Sequence, residues 1–195
     1  EITLGLIDRP EYIETPELIR LREGFSLLDL KRYVEGRGYE GIGFGRMAYQ
    51  NLLDRAVEAI SSALAEVEDR TLPGSRPGQY ALDLAADDAV GRVLDGAGVG
   101  VLSEESGLRG EDHDVVVVVD PVDGSTNAAR GLPWFAASLC AVDGDGPLAA
   151  VVVNLATGDR FEAFRGGGAR RNRGVIEPSP CGSLSEALVG LSGAP

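Results

Sequence analysis

Cysteine is nearly absent from this chain of 195 residues: only Cys140 and Cys181 carry a thiol. Two cysteines fit neither a disulfide framework nor a zinc site. Cys140 lies in an apolar, strand-like run and Cys181 in a Pro/Ser loop, so both are expected as free thiols of a reducing compartment. Histidine is scarcer still. His113 stands alone in an acidic loop, which makes metal-assisted chemistry more economical than a serine–histidine pair. Lysine occurs once, at Lys31, and the formal net charge is −13 with a pI near 4.5. Nucleic acid and anionic membrane are therefore excluded as general partners. No apolar stretch approaches the ~20 residues needed to cross a bilayer. Glu1 opens no basic n-region with an apolar h-region behind it. A cytoplasmic location is the resulting expectation.

What is present is an ordinary globular composition, 44% apolar and 25% charged, long enough for one or two domains with a sizeable core. The chain is organised around Val115–Asn127, V-V-V-V-V-D-P-V-D-G-S-T-N. Five consecutive valines read as a strand buried on both faces, because β-branched side chains suit a covered pleated surface. The strand delivers Asp120 and Asp123, separated by a proline and a valine, into a turn of small polar residues. D-G alone reads as an ordinary β-turn. The valine run, the intervening proline and the upstream S-E-E-S stretch favour a divalent-metal and phosphate site instead.

In chain order, residues 1–46 differ in texture from the remainder. Thr15-Pro16 and Ser26 are helix-start signals, with Asp29 three residues after Ser26. The region is expected to be a helical N-terminal segment, followed by a second unit at 47–195. An apolar stripe of Leu52, Leu53, Ala56, Val57, Ile60, Leu64 and Val67 predicts a long helix over about 48–69. The loop T-L-P-G-S-R-P-G-Q follows, then a second helix over about 83–94 packing Leu84, Ala89, Val90, Val93 and Leu94. Asp83 and Asp88 read as helix-capping acids. Residues 98–102 form a short strand that ends in Ser103-Glu104-Glu105-Ser106. Beyond the central strand, residues 133–171 read as an antiparallel meander, with a hairpin at D-G-D-G, 143–146. Further short strands are expected at 174–176 and in E-A-L-V-G-L, 186–191. The fold class is thus α+β, with helices packed on a largely antiparallel sheet.

Magnesium prefers hard oxygen donors in a near-octahedral shell. Asp120, Asp123 and the Val122 carbonyl can converge where the proline bends the strand end, and Glu104 can reach the same cation from the neighbouring strand. Such a centre can position a water for in-line attack on a phosphomonoester, with Ser125 beside Glu104 orienting it. Backbone amides after Gly124 are free to hold phosphate oxygens.

D-P-V-D-G-S-T-N together with S-E-E-S-G resembles the signature of the inositol monophosphatase family of magnesium-dependent, lithium-sensitive sugar phosphatases. The resemblance runs from about Leu52 to Pro195. It implies Glu104, Asp120, Val122 (through its carbonyl) and Asp123 as metal ligands, with two or three Mg2+ ions in all. It also implies Glu104 and Ser125 as the water-activating pair, and Gly124 and Ser125 as phosphate contacts. Asp87, in A-D-D-A-V, falls where the family carries a helix-start aspartate associated with an additional metal. The fold implied is the first lobe of the layered sugar-phosphatase architecture. Ser103 replaces the usual glycine before the glutamates. The family's second lobe, which carries a further metal-ligand aspartate and most contacts to the substrate alcohol, has no counterpart in these residues. Separately, Gly24–Tyr39 is similar to an internal piece of a bacteriocin-processing cysteine peptidase domain, without that family's catalytic cysteine or histidine.

Two functional readings follow. The first is a magnesium-dependent phosphomonoester hydrolase acting on a phosphorylated small molecule, weak or inactive in this chain alone. The second is a catalytically inactive, acidic protein-binding module that reuses the scaffold. In either case a homodimer or a protein partner is expected to cover the open sheet edge.

Overall fold

The computed structural model describes residues 44–189. The peptidase-like stretch and the helix-start signals at Thr15 and Ser26 lie outside them. Two helices come first, α1 (Phe44–Glu66) and α2 (Ala81–Asp95). Eight strands follow: β1 (Gly100–Ser103), β2 (Gly107–Arg109), β3 (Val116–Asp123), β4 (Ala136–Asp143), β5 (Gly146–Asn154), β6 (Arg160–Phe164), β7 (Gly168–Arg171) and β8 (Gly174–Ile176). A five-residue helix, α3 (Ser125–Ala129), interrupts them after β3.

The strands form one sheet in the order β2-β1-β3-β4-β5-β6-β7-β8. Every neighbouring pair is antiparallel except β1–β3, which is parallel. The α+β expectation is met, and the meander from β4 to β8 follows the turn signals closely. Asp143 pairs with Gly146 across Gly144-Asp145, and the positive φ of 105 falls on Gly146, just after the two loop residues, a backbone conformation that favours glycine. β2 was not expected, because three residues with a glycine at one end carry too little alternation to read. Conversely, residues 186–189 form no strand, and the rest of that candidate lies outside the described residues.

Both long helices lie on one face of the sheet. They pack on each other, α1 against β4 and β5 and α2 against β1 and β3. Leu52, Leu53, Ala56, Val57, Ile60 and Leu64 bury the α1 stripe; Leu82, Ala86, Val90 and Leu94 bury that of α2. Because α2 begins at Ala81, its buried face runs through Leu82, Ala86, Ala89 and Val90, and Leu84 is turned outward rather than into the core. The ion pair of Arg160 with Asp54 ties α1 to β6.

The valine run is half-covered, not buried on both faces as its composition suggested. Val115, Val117 and Val119 meet the helices, while Val118 faces the opposite side and is exposed. On that side, strand registers align one apolar row across all eight strands: Leu108, Leu102, Val118, Cys140, Ala150, Ala163, Ala169 and Ile176. Among the described residues no helix packs against this row. No helix there is long and apolar enough to cross a membrane.

Truncating Leu53, fully buried between α1 and the sheet, is expected to cost about 2–5 kcal/mol of stability. The control Leu108→Ala, on the open face, should stay within about 0.5 kcal/mol. Urea denaturation of both variants measures the difference.

Candidate active site

The parallel pairing of β1 with β3 builds the site. Its register sets Ser103 beside Val119, and the Glu104 amide donates to the Val119 carbonyl at 3.0 Å. β1 therefore ends level with Asp120, while β3 runs on to Asp123, and Glu104 and Asp120 stand side by side. A β-bulge supplies the next step. Between Asp120 and Asp123, β3 advances three residues while its partner β4 advances two, from Ser138 to Ala136. In a regular strand two acids three residues apart would point to opposite faces. The extra residue restores the parity, so both belong to the face away from the helices. Pro121 suits this position, having no N–H for the ladder.

Beyond Asp123 the chain turns at Gly124, φ 88 and ψ 37. A side chain there would be strained by the positive φ, and its Cβ would lie 3.0 Å from the Trp134 carbonyl oxygen. Glycine is required on both counts. The Ser125 hydroxyl then donates to the Val122 carbonyl at 3.3 Å.

Glu104 and Asp120 line one groove of about 330 Å³ with Leu102, Val118, Ser138 and Cys140. Asp123 and Gly124 line an adjoining cleft of about 500 Å³. Burial, then the hydrogen bond and charge of Glu104, then the charge of Asp123, push the Asp120 carboxyl up to about 7, against the favourable Val122 amide. Asp120 is thus crowded by two other acids. Among the described residues no set of three or more acidic, histidine or cysteine side chains closes into a metal cage. Glu104 and Asp120 are brought together, whereas Asp123 acts on them from the next cleft. The donor set still fits magnesium, which is typically held by one or two carboxylates together with waters and substrate phosphate.

The family model described as the inositol monophosphatase family matches residues 51–193. The chain belongs to that family. It is 35% identical over 125 residues to a fructose-1,6-bisphosphatase/inositol-1-monophosphatase of Methanothermobacter thermautotrophicus, covering 56% of this chain and 45% of that protein. It is 36% identical over 142 residues to the inositol-1-monophosphatase of Mesorhizobium japonicum, covering 70% and 53%. Among solved structures it is similar to the extragenic suppressor protein suhB of Bartonella henselae, with TM-score 0.59 and 29% identity over 69% of this chain and 55% of that one. The chain spans about half the length of these relatives.

Within this inositol monophosphatase framework, several acids take positions that sequence alone did not assign. Asp87, expected at the start of α2, sits in its second turn and accepts from the Ser103 hydroxyl. The first-turn acid is Asp83. Its Oδ2 caps the helix by accepting the Tyr80 amide at 2.8 Å, as its capping reading anticipated. The side chain is nonetheless buried, with Oδ1 left without a partner. Burial raises its pKa and the charges of Glu105 and Glu104 add to this, opposed by the Tyr80 amide and the nearby Ser125 hydroxyl. Asp83 is thus an unforeseen neighbour of the site. A fully buried acid two residues into a helix looks like any other cap in sequence. Glu105 is structural: Arg76 and Gln79 both bind its carboxylate and fasten the Pro-Gly loop beside Glu104. His113 is exposed, as its acidic loop suggested.

The raised Asp120 pKa fixes a pH dependence. Between its ordinary value of 3.8 and about 7 the folded chain holds a proton that the unfolded chain releases. Stability from this group is therefore complete at acid pH and lost as pH rises through about 7. In the presence of EDTA, Asp120→Asn is expected to raise Tm at about pH 8 and leave it nearly unchanged at about pH 4; thermal unfolding at the two values tests this. Gly124→Ala should cost at least about 1–2 kcal/mol from its left-handed backbone, read as a lowered denaturant midpoint.

Proposed function

We propose that this chain carries the metal- and phosphate-binding part of a magnesium-dependent phosphomonoester hydrolase. The supporting observation is the placement of Glu104 and Asp120 side by side where the parallel pairing of β1 with β3 ends, four residues before the Gly124 turn. Glu104, Asp120, Asp123 and the Val122 carbonyl would hold magnesium, and Asp87 would serve an additional ion. The metal supplies charge neutralisation at the phosphoryl oxygens and lowers the pKa of a bound water. Gly124 and Ser125 hold the phosphate through their amides. Glu104 and the Ser125 hydroxyl orient the attacking water and take up its proton. A new oxygen–phosphorus bond forms, the ester bond opposite it breaks, and the alcohol leaves with a proton. The crowding that burdens Asp120 favours this reading, because a dication among the acids would remove it. The substrate is a phosphorylated small molecule, and two free thiols support a reducing, cytoplasmic compartment.

The uncovered apolar row on the open face favours a second reading. On it, the chain is a protein-binding module that keeps the phosphatase scaffold without turnover.

Magnesium at a hundredfold excess over its Kd should stabilise the folded chain by about 2.7 kcal/mol, and Asp120→Asn should abolish that shift. Phosphate release from a phosphomonoester should fall at least about tenfold in the same variant. Equal, magnesium-independent background rates and no melting shift would reject the hydrolase and leave the binding module.

A further inference from the structure

The loop between α1 and α2 carries two Pro-Gly pairs, yet it is tightly closed. Pro73 pairs with Tyr80 in an isolated antiparallel bridge, and the Gly74 amide donates to the Gln79 carbonyl at 2.7 Å. The Gln79 side chain is only 8% exposed, although glutamine is a residue that folds mostly leave in water. Its Oε1 accepts from the Ser75 amide at 2.9 Å, the Ser75 hydroxyl at 2.9 Å and the Arg76 amide at 3.2 Å. Gly74 makes room for it, since a Cβ there would lie 2.7 Å from Gln79 Cγ. The amide nitrogen at the same tip donates out of the loop, to the Glu105 carboxylate.

The receiving end lies beside the acid pair. β1 stops at Ser103, and Glu104 follows it, held to β3 by its amide on the Val119 carbonyl. The next residue is pinned twice. The Glu105 amide donates to the Ser103 hydroxyl at 3.2 Å, and its carboxylate takes both Gln79 and the Arg76 guanidinium. With its side chain 11% exposed, that carboxylate needs close donors, and both come from this one loop. The two donors are not equal. The Arg76 side chain is 53% exposed, and an ion pair that open to water adds little. Gln79 is enclosed by its own loop, so its N–H has a fixed direction.

We infer that Gln79 is a positioning residue for Glu104: its amide clasps the Glu105 carboxylate to the loop, which fixes the turn after β1 and so holds Glu104 beside Asp120. Like charge pushes Glu104 and Asp120 apart, and with Glu105 released the backbone beyond Ser103 has soft dihedrals through which to yield. The consequence for magnesium rests on the hydrolase reading; the clasp itself does not.

Gln79→Glu separates the two ends of the side chain. It keeps an acceptor oxygen for Ser75 and Arg76 and replaces the donor to Glu105 with a repelling oxygen. Glu105→Ala opens the clasp from its other end, and circular dichroism confirms that both variants fold. In EDTA, hydrogen exchange at the Glu104 and Glu105 amides is expected to be about tenfold faster in Gln79→Glu, and that at Glu104 equally so in Glu105→Ala, with the amides of β4 unchanged. The magnesium Kd, read from the melting shift, should rise about tenfold in either variant. Added charge alone would instead tighten magnesium in Gln79→Glu. Combined with Glu105→Ala, Gln79→Glu should loosen neither reading further, because both residues act through one bond. Unchanged exchange at Glu104, tighter magnesium in Gln79→Glu, or full additivity in the double variant would each overturn the inference. Faster exchange in the variants, with no magnesium shift in the parent chain, would sustain the positioning of Glu104 and reject the hydrolase reading.

Discussion

Everything at the candidate site depends on one strand pairing, the parallel register of β1 with β3. Parallel neighbours finish at the same edge of a sheet, and only that arrangement allows the residue after one strand to stand beside the last residues of the other. Had β1 paired antiparallel with β3, Glu104 and Asp120 would lie at opposite ends of the sheet. The pairing also carries an energetic penalty. It sets like charges together in a half-buried groove, which the raised Asp120 pKa records. A fold that keeps a repulsive contact at a strand end is spending stability on something other than packing, and groups perturbed in this way cluster at functional sites.

The bulge in β3 and the turn at Gly124 extend the same logic. One additional residue between Asp120 and Asp123 returns the second acid to the face of the first. The left-handed glycine then folds the backbone against Trp134 and opens the cleft. Sheet geometry, not a flexible loop, therefore determines where the acids and the turn stand relative to one another. The helices contribute from behind. They fill the opposite face with leucine, isoleucine and valine, and Asp83 reaches through from α2 into the neighbourhood of Ser125 and Glu104.

The open face is where the molecule is least like a finished globule. A continuous row of apolar residues crosses all eight strands, with small side chains at Cys140, Ala150, Ala163 and Ala169 in its middle. The acids lie along one margin of this row. Leu102, Val118 and Cys140 of this row also line the groove of Glu104 and Asp120, so a partner that covered the row would border the acids as well.

The sequence alone determined the local pieces. The helical stripes of α1 and α2, the hairpin at D-G-D-G, the turn at Gly124 and the family motif all depend on residues close together in the chain, where periodicity and backbone preference act directly. Asp120 and Glu104 were legible because each stands at the end of a strongly patterned strand. Tertiary structure alone decided the remainder. That Val118 is exposed, that Leu84 faces outward, that Asp83 is buried beside Ser125 and that Asp123 lines a different cleft from Glu104 depend on which elements meet across the fold. The brief strand β2 likewise exists only because β1 offers it an edge. Pairing and burial are set by contacts between distant segments, and neither propensity nor spacing within one segment contains that information.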